Sequence, residues 1–115
     1  MRTLYVTDLD GTLLNTKDRI NPESLRIING LVKKGMLFTY ATARSRESAS
    51  VVAQGLALTM PVIVYNGAFL LRPDTGEILS SLYFTEEEAR FVRHVLNQAR
   101  ISPLVYSYIQ GRESV

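Results

Sequence analysis

Two rhythms of apolar residues alternate along the first half of the chain. Leu4 to Val6, Met36 to Thr42 and Pro61 to Asn66 are short continuous apolar runs with β-branched and aromatic members. Runs of that kind predict strands covered on both faces, as in parallel sheets. Between them apolar positions recur at helical spacing. In "RINPESLRIINGLVKKG" the predicted inward stripe is Leu25, Ile28, Leu31 and Val32, with Asn21 as N-cap, Pro22 at the first helical position and Gly35 as the stop. In "SRESASVVAQGLAL" it is Ala49, Val52, Ala53 and Leu56, with Ser45 as N-cap. The order β-α-β-α-β predicts a parallel sheet with right-handed crossovers.

The rhythm changes after Asn66. "AFLLRPDTGEILSSLYF" holds two strand-like runs around Pro73-Asp74-Thr75-Gly76, which predicts an antiparallel hairpin. Thr85 and Glu88 form a capping-box pair that opens a third helix with Val92, Val95, Leu96 and Ala99 on one stripe. Leu104 to Ile109 is a further strand candidate, and "GRESV" follows without closing signals. The expected division is residues 1–66, an α/β core, and residues 67–115, a β-β-α-β segment.

Composition narrows the function classes. The 115 residues are 46% hydrophobic and 21% charged, which fits a globular domain rather than a disordered chain. Net charge is only +2, and the longest cationic cluster is Lys33-Lys34, so no nucleic-acid partner is expected. The absence of Cys removes disulfides, thiolate metal sites and cysteine nucleophiles. No apolar run has the length of a membrane span, and Asp8 and Asp10 interrupt the N-terminal apolar stretch where a signal peptide would continue. No membrane partner is expected, and the cytoplasm is the expected location.

The candidate chemistry sits at strand ends. In open parallel sheets ligands bind outside the carboxyl ends of the strands. The three core strands end on Asp8, Thr42 and Asn66, each with polar or Gly neighbours: Asp10-Gly11-Thr12, Arg44-Ser45 and Gly67. Two carboxylates one residue apart suit a divalent cation or divided acid/base work. An EF-hand loop is excluded by spacing, because Gly11 comes two residues early and Arg19 stands where a bidentate Glu belongs. Neither G-x-G-x-x-G nor G-K-[ST] follows the first strand. Gly11 and Thr12 remain candidates to present backbone N–H groups to a phosphate. His94 lies opposite the third helix's stripe and reads as a surface residue, and Glu86-Glu87-Glu88 reads as dipole-matched acid at a helix start.

These motifs carry a resemblance. "DLDGTLL" (Asp8–Leu14) resembles the first motif of the haloacid dehalogenase-like (HAD) hydrolase superfamily. "YATARS" (Tyr40–Ser45) resembles its second motif in the form of the Cof-type, type II cap sugar-phosphatase branch, and "VYNGA" (Val64–Ala68) resembles that branch's entry into the cap. The implied fold is α/β: a Rossmann-like parallel sheet, as part of the HAD core, followed by the start of an α+β type II cap.

The resemblance implies an Mg²⁺-dependent phosphomonoester hydrolase. Asp8 would be the nucleophile that becomes an aspartyl phosphate, a role suited to a carboxylate, which needs no deprotonation at neutral pH. Asp10 would act first as general acid, then as base. Asp8 and the Asp10 backbone carbonyl would hold Mg²⁺. Gly11, Thr12, Thr42, Ala43, Arg44, Asn66 and Gly67 would contact phosphate or substrate, a small phosphorylated metabolite such as a sugar phosphate. Ala43 departs from the family's usual glycine.

The family's later lysine and GDxxND-like acidic motif have no counterpart in these 115 residues. The chain is therefore expected to be an N-terminal portion, weak or inactive alone, with Leu4–Val6 left as an exposed edge prone to self-association. The alternative from another class is a non-catalytic phosphate- or partner-binding module that completes its sheet by oligomerisation. A receiver-like phosphoacceptor domain is a third possibility, poorly matched by the Asn-Gly-Ala turn and the hairpin.

Overall fold

A computed structural model describes residues 1–114. Strand β1 (Leu4–Thr7) runs parallel to β2 (Leu37–Tyr40), in register from Leu4 opposite Leu37 to Thr7 opposite Tyr40. Helix α1 (Pro22–Lys33) joins them. It starts where the Asn21 side chain accepts from the Glu23 N–H, with Pro22 in the first turn. It ends where Gly35, at φ +102°, turns the chain back, and the Gly35 and Met36 N–H groups donate to Val32 and Leu31 carbonyls. Leu25, Ile28 and Val32 are half-buried, whereas Leu31 is exposed.

Helix α2 (Arg46–Val52) follows β2, capped by Ser45, whose hydroxyl accepts from the Ser48 N–H. Asn29 of α1 clamps the segment after α2: its Nδ2 donates to the Gly55 carbonyl and its Oδ1 accepts from the Ala57 N–H, both at 2.8 Å. Strand β3 (Val62–Val64) then joins β2 through one parallel bridge, Ala41 to Ile63. On its other side it pairs antiparallel with β4 (Phe69–Leu71), which pairs antiparallel with β5 (Ile78–Ser81). The predicted parallel trio is thus one parallel pair and a single bridge. The predicted Pro73–Gly76 turn closes the β4–β5 hairpin, with the Arg72 N–H donating to Glu77 and the Gly76 N–H to Arg72.

The buried core lies around β2, β3, β4 and α2: Phe38, Tyr40, Val62, Val64, Phe69, Leu71, Ala49 and Ala53, joined by Leu9, Leu14 and Ile20. Buried Thr39 is satisfied by donating to the Pro61 carbonyl at 2.6 Å. Strand β1 departs from the expectation of two-sided burial. Leu4, Tyr5 and Val6 are 45%, 55% and 49% exposed, and consecutive strand residues point to opposite faces, so both faces are open. Among the described residues β1 pairs only with β2, and an apolar run is buried only where other elements cover it.

The chain forms two units, dividing between Leu82 and Tyr83, so the β4–β5 hairpin stays with the first. In the second, α3 (Glu86–Gln98) begins with the predicted capping box: Thr85 Oγ1 accepts from the Glu88 N–H, and Glu88 Oε2 accepts from the Thr85 N–H. Val92 and Leu96 are half-buried, while Val95, Ala99 and His94 are exposed. The last predicted strand is shorter than expected, β6 (Ser107–Ile109), and it pairs antiparallel with an unforeseen β7 (Arg112–Ser114). The turn between them is Gln110-Gly111 with φ of +52° and +73°. A lone Gly between short segments was its only sequence signal.

Candidate active site

The first strand end is built around Leu9, which is wholly buried, while Asp8 and Asp10 on either side are exposed. An apolar anchor between two acids turns both carboxylates out of the core. Asp8 Oδ1 accepts from its neighbour's Leu9 N–H at 2.8 Å, and the Asp8 carbonyl accepts from Thr7 Oγ1 at 2.8 Å. Gly11 then takes φ +74° with open space around it, so its backbone conformation, not crowding, requires glycine. The Leu14 N–H donates to the Leu9 carbonyl and closes the loop.

The second and third strand ends are stitched to the first. The Ala41 N–H donates to Thr7 at 2.8 Å, the Thr42 N–H to Ile63 at 3.0 Å, and the Asn66 N–H back to Thr42 at 3.0 Å. Tyr65, Asn66 and Gly67 all have positive φ, +51°, +55° and +91°. A bulky tyrosine in the left-handed region costs on the order of 1–2 kcal/mol. The Tyr65 N–H bond to the Arg44 carbonyl and the Tyr65–Phe69 ring contact at 5.1 Å hold it there. Strain of this kind concentrates at functional sites.

The three ends enclose an open cleft of about 490 Å³, lined by Asp8, Ala41, Thr42, Ala43, Ile63, Asn66 and Gly67. The structure therefore gathers Asp8, Thr42, Ala43, Asn66 and Gly67 of the predicted site. Asp10, Gly11, Thr12 and Arg44 are not among the lining residues. Ala41 and Ile63 were missed, because apolar residues inside a strand run carry no chemical signal; they supply part of the apolar wall.

Asp10 and Arg44 face each other instead. Arg44 Nε donates to Asp10 Oδ2 at 2.8 Å and Nη2 to Oδ1 at 2.7 Å, a two-bond fork. Arg44 Nη1 donates to Ser48 Oγ at 2.9 Å, and Asp18 Oδ1 lies 3.9 Å from Nη2. The Arg44 N–H donates to Thr42 Oγ1 at 3.1 Å. The Arg44 hydrogen bonds hold the Asp10 carboxyl below the usual carboxylate range, and Asp10 in turn raises Arg44. The pairing favours ionised Asp10, a proton acceptor. Protonating a leaving group would require that carboxylate first to take up a proton. Ser48 and Asp18 are the supporting residues that sequence reasoning missed; nothing in a lone Ser or Asp marks a partner 4 or 26 residues away.

No group of three or more His, Asp or Glu side chains able to hold a metal occurs among the described residues. Asp8 offers an exposed carboxylate at the cleft, the hard oxygen donor Mg²⁺ takes, and Mg²⁺ commonly keeps several waters beside one or two carboxylates. The donor set fits part of such a site.

Residues 5–111 match the family described as haloacid dehalogenase-like hydrolase. The chain is 37% identical over 70 residues to 5-amino-6-(5-phospho-D-ribitylamino)uracil phosphatase YitU of Bacillus subtilis (strain 168), covering 61% of this chain and 26% of that protein. It is 33% identical over 94 residues to HMP-PP phosphatase of Serratia proteamaculans (strain 568), covering 82% of this chain and 34% of that protein. A solved haloacid dehalogenase-like hydrolase from B. subtilis superposes with a TM-score of 0.73 at 25% identity, covering 84% of this chain and 34% of that one. The chain spans about a quarter to a third of the length of these relatives.

Proposed function

We propose, on the premise that this chain belongs to the haloacid dehalogenase-like hydrolase family, that it carries the nucleophile and phosphate-binding part of a phosphomonoester hydrolase. The observation that carries this reading is the convergence of Asp8, Thr42 and Asn66, from three strand ends, on one cleft. In the proposed reaction Asp8 attacks phosphorus, the ester oxygen leaves as the alcohol, and water then releases phosphate from the aspartyl phosphate. Asp10, after taking up a proton from solvent, protonates the leaving oxygen and afterwards takes the proton of the attacking water. Thr42, Ala43, Asn66 and Gly67 surround the phosphoryl group, and Gly11 and Thr12 present backbone N–H groups from the first loop.

Asp8 and the Asp10 carbonyl would hold Mg²⁺, which when bound offsets charge on the phosphoryl oxygens. The Asp10 carbonyl suits this better than its carboxylate, which Arg44 occupies. The substrate is a small phosphorylated metabolite, in keeping with the phosphatase names of the relatives. Residues 1–66 are read as the N-terminal part of the core and 67–115 as a cap segment. No helix among the described residues is long and apolar enough to cross a membrane.

Among the described residues no Lys or Arg lines the cleft, so turnover by this chain alone is proposed to be slow. The test is p-nitrophenyl phosphate with Mg²⁺, followed by nitrophenolate release and intact mass. The expected result is slow release and one phosphoryl group per chain, both lost in Asp8→Asn. Release at the buffer rate, or release indifferent to Asp8→Asn, would refute the nucleophile assignment; fast sustained turnover would refute the slow-turnover clause.

A second reading is favoured by the exposed β1: a non-catalytic phosphate- or partner-binding module that completes its sheet with a second copy. Light scattering after size exclusion separates the two. A dimer that binds phosphate but never labels at Asp8 supports the second reading.

A further inference from the structure

We propose that Ser48 is a positioning residue for Asp10, acting through Arg44, and that it keeps the Arg44 guanidinium on Asp10 and away from the phosphoryl cleft. The proposal rests on the reading of Asp10 as the acid/base group. Arg44 is held from three stretches of chain. Its Nε and Nη2 meet both carboxylate oxygens of Asp10, its Nη1 donates to Ser48 Oγ at 2.9 Å, and Asp18 approaches Nη2.

The fork alone cannot fix Asp10 in space. The Asp10 side chain is 50% exposed on a loop, and a carboxylate–guanidinium pair can swing as one body. The bond to Ser48 ties that pair to a helix. The position of Ser48 is itself determined locally: Ser45 caps α2, its Oγ accepts from the Ser48 N–H at 3.2 Å, and Ser48 in that first turn lies within 2.9 Å of Arg44 Nη1, just ahead of the cap.

A guanidinium binds phosphate with the same planar fork it offers a carboxylate. Arg44 stands two residues from Thr42, which lines the cleft, yet does not line it itself. Ser48 Oγ occupies the third nitrogen and biases Arg44 toward Asp10. Without that hydroxyl, the guanidinium is freer to turn toward an anion beside Thr42.

Arginine side-chain NMR on the ¹⁵N-labelled 115-residue chain tests this. The Arg44 Nε–H signal is assigned by its loss in Arg44→Lys. Nε is bonded to Asp10, not to Ser48, so its exchange rate reports the fork rather than the deleted contact. In Ser48→Ala the rate should rise about tenfold or more, the lower bound for one lost hydrogen bond from a charged donor. Ser48→Thr, which keeps the hydroxyl, should restore it, and the backbone amide spectrum should change only around residue 48 in both. An Arg44 exchange rate unmoved by Ser48→Ala, or not restored by Ser48→Thr, overturns the proposal. Labelling at Asp8 in the same variants separates the two claims. An Arg44 response in a chain that never takes phosphoryl onto Asp8 supports the positioning and removes only the phosphatase reading. Labelling with an indifferent Arg44 removes only the positioning.

Discussion

Thr42→Val removes one oxygen at the junction of three strand ends. Thr42 is 5% exposed, and its hydroxyl accepts the Arg44 N–H at 3.1 Å. Valine keeps nearly the same shape and leaves that donor without its acceptor. A buried donor left unsatisfied costs about 1–3 kcal/mol. The Arg44 amide is only partly buried, so the lower part of the range applies, about 1–2 kcal/mol. For a unit of 82 residues, Met1–Leu82, that corresponds to a drop in Tm of roughly 4–16 °C.

Thr42→Ser is the matching control, because it keeps the acceptor and loses only a methyl, about 0.8 kcal/mol. The assay is urea unfolding followed by circular dichroism. The expected ranking of midpoints is wild type, then Ser, then Val, with an unchanged slope. A valine variant as stable as wild type, or more stable than the serine variant, would show that the hydroxyl does not serve the Arg44 amide. The cleft would then lose its structural account of Thr42.

Two further outcomes are expected. Asp10 binds its proton less readily folded than unfolded, so the Arg44 pair contributes fully above the unfolded value, about pH 4, and the contribution fades as pH falls through the lower folded value; urea midpoints measured across acid pH should fall more steeply for wild type than for Asp10→Asn, and parallel curves would contradict this. Gly76 has φ +73°, and a Cβ there would collide with the Arg46 guanidinium, so Gly76→Ala should cost about 1–3 kcal/mol from backbone strain alone, with part of any excess recovered in the Gly76→Ala/Arg46→Ala double variant; an unshifted thermal midpoint in Gly76→Ala would count against both the strain and the collision.

Local chemistry made much of this protein legible in the sequence. Asn21, Pro22 and Gly35 bound α1, Ser45 caps α2, and the Thr85–Glu88 box opens α3, because capping is satisfied within a few residues of chain. The Asp-Leu-Asp spacing also has a local cause: burying Leu9 turns both acids outward. That Asp8, Thr42 and Asn66 would share one side followed from the expected parallel order of the three strands, whose carboxyl ends lie along one edge.

What tertiary structure decided depends on partners far apart in sequence. Whether the apolar run Leu4–Val6 is buried is a matter of what covers it, and here β2 alone pairs with it among the described residues. Strand β3 takes an antiparallel neighbour in β4 because the left-handed turn at Tyr65–Gly67 reverses the chain. Asp10 and Arg44 were both visible as candidates. Their fork joins residues 34 apart, so it exists only because the stitched strand ends bring the Arg44 segment beside the loop that carries Asp10.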